Sequence, residues 1–133
     1  MADLLKFSIP GKPEYVGVVR LAVSSAANCA GFSMEAIEDI KVAVSEACTN
    51  VVLHGSREEN CYEVECTIEK DKLIILVTDF CGGYDTEKYL VPCMDKPKEG
   101  GLGIFIIRAL MDEVDILSEL GEGTKIQMVK YLI

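Results

Sequence analysis

One long amphipathic segment constrains what this chain can fold into more than any other feature. Ser33 is followed by a continuous helical pattern from Ala36 to Leu53, which Gly55 ends. Ser33 is suited to cap the first turn, and acidic residues in the early turns complement the positive end of the helix dipole. The apolar side chains recur at helical spacing along one stripe, formed by Ile37, Ile40, Val44, Ala47 and Val51. A helix with a single apolar stripe must pack that stripe against a second layer.

Strand patterns on both sides of this helix indicate what the second layer is. In chain order, the sequence predicts a strand at Leu4–Ile9, a helix from Pro13 to Gly31, the long helix, strands at Tyr62–Glu69 and Leu73–Asp79, a helix at Leu102–Met111, and strands at Val114–Ser118 and Thr124–Leu132. Leu73 to Val77 is apolar throughout, which is typical of a strand covered on both faces. Residues 80–101 predict a long loop. This order predicts an α/β fold, a two-layer sandwich of a mixed sheet with helices on one face, formed by residues 1–133 as a single domain.

Composition and charge exclude several classes of protein. The 133 residues are 50% hydrophobic and 26% charged, which is the profile of a folded domain rather than a disordered chain. The 22 acidic residues outnumber the 13 basic ones, and the net charge of -9 disfavours nonspecific binding to nucleic acid. The apolar runs fall far short of the roughly 20 residues that a membrane-spanning helix needs. The N-terminus lacks a basic region followed by an apolar stretch, so a cytoplasmic protein is expected.

The six cysteines suggest packing rather than a disulfide framework or a zinc site. The sequence contains no Cys-x-x-Cys pair, and His54 is its only histidine, so the usual zinc ligand sets are absent. A domain of this size without a secretory pattern does not need disulfides. Most of the cysteines are therefore expected to be small buried residues, with Cys81 and Cys93 as exposed thiols in the loop.

Glu46 and Asn50 are the first candidates for chemistry. They are four residues apart in the long helix, so they share one face, roughly opposite the apolar stripe. A carboxylate and an amide oxygen are hard ligands for a metal ion, and the carboxylate is also a candidate general base. Taken alone, however, such a polar pair is more often a solvated helix face.

Three further features lie at the ends of predicted elements. Asp79 ends an apolar strand before residues 81–83 (Cys-Gly-Gly), which suits contact with the exocyclic amine of a flat ring; the alternative is an aspartate that opens a turn. Residues 100–103 (Gly-Gly-Leu-Gly) lead into an apolar helix, where exposed backbone N–H groups favour polyphosphate. Residues 121–124 (Gly-Glu-Gly-Thr) precede the last strand and also fit an ordinary hairpin turn.

The order of these motifs resembles the nucleotide-binding fold shared by gyrase, the catalytic domains of histidine kinases and MutL. Within that group, the chain resembles the RsbW-type anti-sigma factors, which are also serine-protein kinases. The sporulation anti-sigma factor SpoIIAB is a more distant relative of the same type. The resemblance covers residues 9–132 and is carried by three long blocks: PEYVGVVRL, IEDIKVAVSEACTN and EGGLGIFIIRALMDEVD.

The resemblance implies a role for each motif. Asn50 would hold Mg²⁺ against the phosphates of ATP, and Glu46 would be the base that activates the attacking hydroxyl. Asp79 would bind the adenine amine. The other ATP-binding positions that the resemblance implies are Gly83, Gly101, Leu102, Gly103 and Thr124. Cys81 is a departure, because it stands where the family pattern Asp-x-Gly-x-Gly has its first glycine.

The implied function is that of a cytoplasmic anti-sigma factor. Such a protein sequesters a sigma factor of RNA polymerase, of the sigma-B type, and uses Mg-ATP to phosphorylate a serine of an RsbV-type anti-anti-sigma factor. A homodimer is expected. The alternative is an anti-sigma binding module with weak or no kinase activity, which Cys81 favours. The ATPase domain of a histidine kinase fits less well, because the sequence has no phosphoacceptor helix pair and His54 falls at the end of the ATP-site helix.

Overall fold

Five strands and three helices make up the described part of the chain. The computed structural model describes residues 2–54, 61–79, 97–119 and 123–132. The strands are β1 (Asp3–Pro10), β2 (Cys61–Ile68), β3 (Lys72–Asp79), β4 (Glu113–Glu119) and β5 (Gly123–Tyr131). The helices are α1 (Val16–Ala30), which follows a 3-10 turn at Pro13–Tyr15, α2 (Met34–His54) and α3 (Pro97–Leu110).

The strands form one sheet in the order β1-β2-β3-β5-β4, and neighbouring strands of the described residues pair antiparallel throughout. The two-layer α/β sandwich is confirmed, but its sheet is antiparallel rather than mixed. Two helices lie between β1 and β2, and they return the chain to the end of the sheet where β1 stops, so Pro10 pairs with Cys61. The crossover through α3 makes β4 parallel to β3, but β5 lies between those two strands.

The core lies between the three helices and one face of the sheet. Val23 of α1, Val44 of α2 and Ile107 of α3 are fully buried together with inward-facing strand residues. β3 alternates, with its inward side chains buried and Ile74 and Leu76 only partly covered on the opposite face. The expectation that β3 is covered on both faces is therefore wrong, because the described helices all lie on one side. None of these helices is long and apolar enough to cross a membrane.

The helix ends follow the local sequence signals, with one exception. The Ala36 amide donates to the Ser33 hydroxyl at 3.1 Å, which confirms the cap of α2. α1 ends at Gly31, whose φ of 98° is in the left-handed region that glycine tolerates best. The exception is α3, which begins at Pro97 rather than at Leu102. The fixed φ of proline suits the first turn of a helix, so the helix starts before the glycines instead of after them.

Two of the cysteines differ from the expectation of burial. The described residues contain four free thiols, of which Cys48 and Cys66 are buried whereas Cys29 and Cys61 are exposed. Cys29 lies on the solvent side of α1, and Cys61 starts β2 on the face away from the helices. Cys81 and Cys93 lie outside the described residues.

Candidate functional site

α2 carries Glu46 and Asn50 away from its buried stripe. Ile40, Val44 and Val51 of that stripe are fully buried, whereas Glu46 and Asn50 are only partly exposed. The predicted sharing of one helical face is confirmed, since the two residues are one turn apart in a continuous helix. Asp39, Lys41 and Ser45 of the same helix are also only partly exposed, so exposure alone does not distinguish this pair from other polar positions of α2.

Glu46 lies against the backbone of α3 at Gly103. Gly103 is buried, and a Cβ atom built on it would be 3.2 Å from Oε2 of Glu46. Such a separation is tighter than an ordinary van der Waals contact between carbon and oxygen, so glycine leaves the carboxylate the room that it occupies. The fold thus brings together two predicted site residues from different motifs.

β3 and β5 place Asp79 and Thr124 side by side. The two residues are direct cross-strand partners at the end of β3 and the start of β5. Their side chains are 0% and 1% exposed. Burying a carboxylate is costly unless it is hydrogen-bonded or paired, so the full burial of Asp79 distinguishes it from an exposed aspartate that merely opens a turn.

Tyr62 connects this end of the sheet to α2. It is the cross-strand partner of Asp79 on β2 and is fully buried. Its hydroxyl neighbours the Cys48 thiol of α2, although it forms no hydrogen bond of normal geometry within the described residues. Burial raises the pKa of the Cys48 thiol to about 12, an effect that Tyr62 partly offsets. Sequence reasoning missed Tyr62, because a tyrosine in an alternating strand is typical of core packing, and only the strand register places it beside Asp79.

A groove of about 280 Å³ on the surface of α1 and α2 includes Glu46. The residues that line it are Arg20, Glu38, Lys41, Val42, Ser45 and Glu46. Glu46 therefore lines this groove, while its Oε2 atom lies near α3. A larger groove of about 490 Å³ surrounds Ser33 and Lys130 at the other end of α2, and it contains none of the predicted site residues. Of these two grooves in the described part of the chain, the one beside Glu46 includes a predicted site residue.

The glycine-rich motif lies inside α3 rather than in a preceding loop, which corrects the sequence-based prediction. N–H groups beyond the first turn of an α-helix bond to carbonyl groups four residues earlier, so the amides of Gly101 and Gly103 are not open loop donors in this conformation. The positive end of the α3 dipole remains near Pro97. Leu102 points outward and is 55% exposed. Gly83, the other predicted glycine, lies outside the described residues.

The donor set of α2 suits a magnesium ion that is shared with phosphates. Glu46 and Asn50 offer oxygen atoms one turn apart on a rigid helix. The described residues contain no group of three His, Cys, Asp or Glu side chains that could hold a metal ion alone. Magnesium in phosphate-binding sites typically takes only one or two protein oxygens and completes its shell with phosphate and water. The chemistry of these two side chains fits that arrangement.

Comparison with known proteins decides the family. Residues 9–130 match the histidine kinase-like ATPase domain. The chain belongs to this family. Within it, the chain is similar to the serine-protein kinase RsbW of Bacillus subtilis, with 38% identity over 98% of this chain and 87% of that protein. RsbW of Listeria monocytogenes is 42% identical over 99% of this chain and 89% of its own length. This member of the histidine kinase-like ATPases is accordingly an RsbW-type serine-protein kinase.

Solved structures share the fold of this RsbW-type kinase. A protein with RsbU and RsbW domains from Mycobacterium tuberculosis superposes with a TM-score of 0.73 at 20% identity, covering 96% of this chain and 31% of that one. A chain of the SiaB–SiaC complex from Pseudomonas aeruginosa gives a TM-score of 0.68 at 12% identity, covering 94% and 88%. At these identities the likeness concerns the fold alone.

Proposed function

We propose that this chain, acting as one domain, binds Mg-ATP beside α2 and phosphorylates a serine of an RsbV-type anti-anti-sigma factor. The observation that carries the proposal is the contact between Glu46 of α2 and the backbone of α3 at Gly103. Asn50 lies one turn after Glu46 on α2. Membership of the RsbW serine-protein kinases supports the same reaction. We also propose that the protein sequesters a sigma factor of RNA polymerase.

Asp79 and Thr124 form the adenine end of the proposed nucleotide site. The buried carboxylate of Asp79 accepts a hydrogen bond from the exocyclic amine, and Thr124 supports it from the neighbouring strand. Gly83 belongs to the same end by resemblance. The first turn of α3, beginning at Pro97, carries the positive end of the helix dipole and favours the negative charge of the phosphates. Gly101, Leu102 and Gly103, which follow that turn, belong to the same side of the site by resemblance.

Asn50 would hold the magnesium ion. Its amide oxygen is a hard ligand on a rigid helix, close to the carboxylate of Glu46. When bound, magnesium neutralises the charge that develops on the transferring phosphoryl group. The protein then has mainly to position the reactants.

Glu46 acts as the general base. The serine oxygen of the antagonist forms a bond to the γ-phosphorus, and the bond from that phosphorus to the β–γ bridging oxygen breaks, so ADP leaves. The serine proton passes to the carboxylate of Glu46. The groove that includes Glu46, Arg20 and Lys41 gives a protein segment access to this carboxylate from the surface.

The partners are those that the relationship to RsbW implies, and the surface charge and exposed apolar side chains are compatible with them. The net charge of -9 would favour a basic surface on the sigma factor. A homodimer through the N-terminal strand and first helix is part of the proposal, since Leu4 of β1 and Val18 and Leu21 of α1 are each more than half exposed, at 59%, 56% and 67%. A cytoplasmic location is part of the same proposal.

The direct test is transfer of γ-labelled phosphate from Mg-ATP to the purified antagonist. We expect Glu46→Gln to lower the transfer rate at least about 100-fold, because the amide cannot accept the serine proton. ATP affinity and antagonist binding should stay within about twofold, since the side chain keeps its size and shape.

Glu35→Gln is the matched control. Glu35 is an exposed carboxylate in the first turn of the same helix, so its neutralisation should leave transfer unchanged. Wild-type transfer by Glu46→Gln would remove Glu46 from the role of base. A wild-type protein that binds the antagonist but transfers no label would instead be a sequestration module, for which Cys81 supplies the sequence argument.

A further inference from the structure

Gly103 has no conformational reason to be glycine. It lies within α3, and the described glycines with positive φ are Gly31 and Gly123, not Gly103. Glycine in the interior of a helix is less favourable than alanine, because the unfolded chain has more freedom to lose. The absence of a side chain at this position must therefore serve something other than the helix itself.

The neighbour that uses the space is the Glu46 carboxylate. A Cβ atom on Gly103 would lie 3.2 Å from Oε2 of Glu46. The carboxylate would have to move a few tenths of an ångström to relieve this close contact. Gly17, a glycine within α1, differs. A Cβ atom there would meet Nη2 of Arg20 at 3.6 Å, an ordinary contact. Of these two glycines, Gly103 is thus the one that a residue of the proposed site crowds.

We propose that Gly103 is a positioning residue for phosphoryl transfer, which keeps open the space in which α3 holds the Glu46 carboxylate. The inference rests on the proposed role of Glu46 as the base. Glutamate has three rotatable side-chain bonds, so contact with a second helix restricts where its carboxylate can go. Transfer of a proton requires the base within hydrogen-bond reach of the serine hydroxyl, and small displacements lower the rate steeply.

Alanine at position 103 separates this role from binding of phosphate by the backbone. The Gly103→Ala variant keeps the backbone N–H, so it removes no donor that a phosphate would use. It adds one methyl group at the contact with Oε2 of Glu46. Alanine also favours the helix, so a loss of activity would not come from unwinding of α3.

The test compares kcat and KM for ATP in the phosphate-transfer assay. We expect Gly103→Ala to lower kcat about tenfold, with KM for ATP within twofold of the wild-type value. The matched control is Gly17→Ala, which makes the same substitution in α1 and should retain the wild-type kcat. Adding Gly103→Ala to Glu46→Gln should lower the residual rate no further, because the two changes act through one carboxylate.

Each other outcome overturns the inference. Three results would each show that Gly103 does not act through Glu46. They are an unchanged kcat in Gly103→Ala, a loss of ATP affinity as large as the loss of kcat, and a further tenfold loss of the residual transfer rate in the Glu46→Gln background. If Glu46→Gln alone transfers at the wild-type rate, the proposed function fails first and the inference falls with it. If Gly103→Ala does not fold, the double variant Gly103→Ala/Glu46→Asp, with its shorter carboxylate, must recover folding; failure to do so overturns the inference as well.

Discussion

Cys48 and Tyr62 form the buried contact beneath the proposed site. Burial raises the pKa of the Cys48 thiol to about 12 and that of the Cys66 thiol to about 11, and it also raises the pKa of Tyr62. These groups therefore stay protonated in the folded protein at pH values where the unfolded chain ionises. The thiols are structural rather than reactive, because the thiolate is the nucleophilic form.

The buried thiols predict a loss of stability in alkaline solution. An unfolded thiol releases its proton above about pH 8.5, whereas folded Cys48 keeps it up to about pH 12, so the unfolded state binds fewer protons. The contribution of these thiols to the free energy of unfolding should therefore be constant below about pH 8 and fall with rising pH between these values, by about 1.4 kcal/mol per pH unit for each such group. Urea unfolding at several pH values from about 7 to 11, which cover most of this window, measures how steeply the free energy of unfolding falls with pH.

Cys48→Ala should reduce the pH dependence of the free energy of unfolding by the contribution of one thiol, about 1.4 kcal/mol per pH unit, whatever it does to stability at neutral pH. Cys29→Ala is the control, because Cys29 is exposed on α1 and should leave the slope as it is. Equal slopes in the wild type and Cys48→Ala would contradict the burial argument.

Residue types predicted part of the site but not its contacts. Glu46 and Asn50 were recognisable because four-residue spacing on a helix defines a shared face. The buried pairing of Asp79 with Thr124 and the approach of Glu46 to Gly103 depend on strand register and helix packing. These are long-range properties that no local motif encodes, which is also why Tyr62 was missed.

At the scale of elements, Lys130 joins α2, α3 and β5. Its ammonium group donates to the Leu110 carbonyl at the end of α3 at 2.6 Å and lies 3.8 Å from the Asp39 carboxylate of α2. The lysine side chain is only 16% exposed. A cation at this position satisfies a terminal helix carbonyl and complements the negative end of the helix dipole.

Lys130→Met should lower the free energy of unfolding by about 1 to 2 kcal/mol, because it removes a charged hydrogen bond and leaves the Leu110 carbonyl without this donor. Lys125→Met, at an exposed position of the same strand, should change stability by less than about 0.5 kcal/mol. Chemical denaturation of the wild type and the two variants measures both changes in the free energy of unfolding. Equal stability of the wild type and Lys130→Met would show that this link is dispensable.

The sequence was most informative for elements with strong local signals. α2 has a Ser33 cap and a continuous apolar stripe, and both survive in the structure. α3 began earlier than predicted, because three glycines argued against helix while Pro97 favoured a first turn. The antiparallel sheet was not predicted, because the position of β5 between β3 and β4 is a choice of pairing partner that strand patterns leave open.

At the scale of the whole molecule, topology brings the site together. β1 ends where β2 begins, so the two intervening helices start and finish at that end of the sheet. β3 finishes at the same end, since Asp79 pairs with Tyr62 at the start of β2, and β5 begins there opposite Asp79. The antiparallel order thus collects the last turns of α2, the end of β3 and the start of β5. The larger groove around Ser33 lies at the other end of α2.

The central claim is that this end of the molecule binds Mg-ATP through Asp79. Isothermal titration of the protein with ATP in the presence of magnesium tests it most directly. We predict saturable binding to the wild type and a weakening of at least about tenfold in Asp79→Asn, because the amide replaces a charged acceptor for the adenine amine. Asp115→Asn, on exposed β4, should bind as the wild type does. No saturable binding to the wild type, or equal affinity in a folded Asp79→Asn variant, would contradict the account.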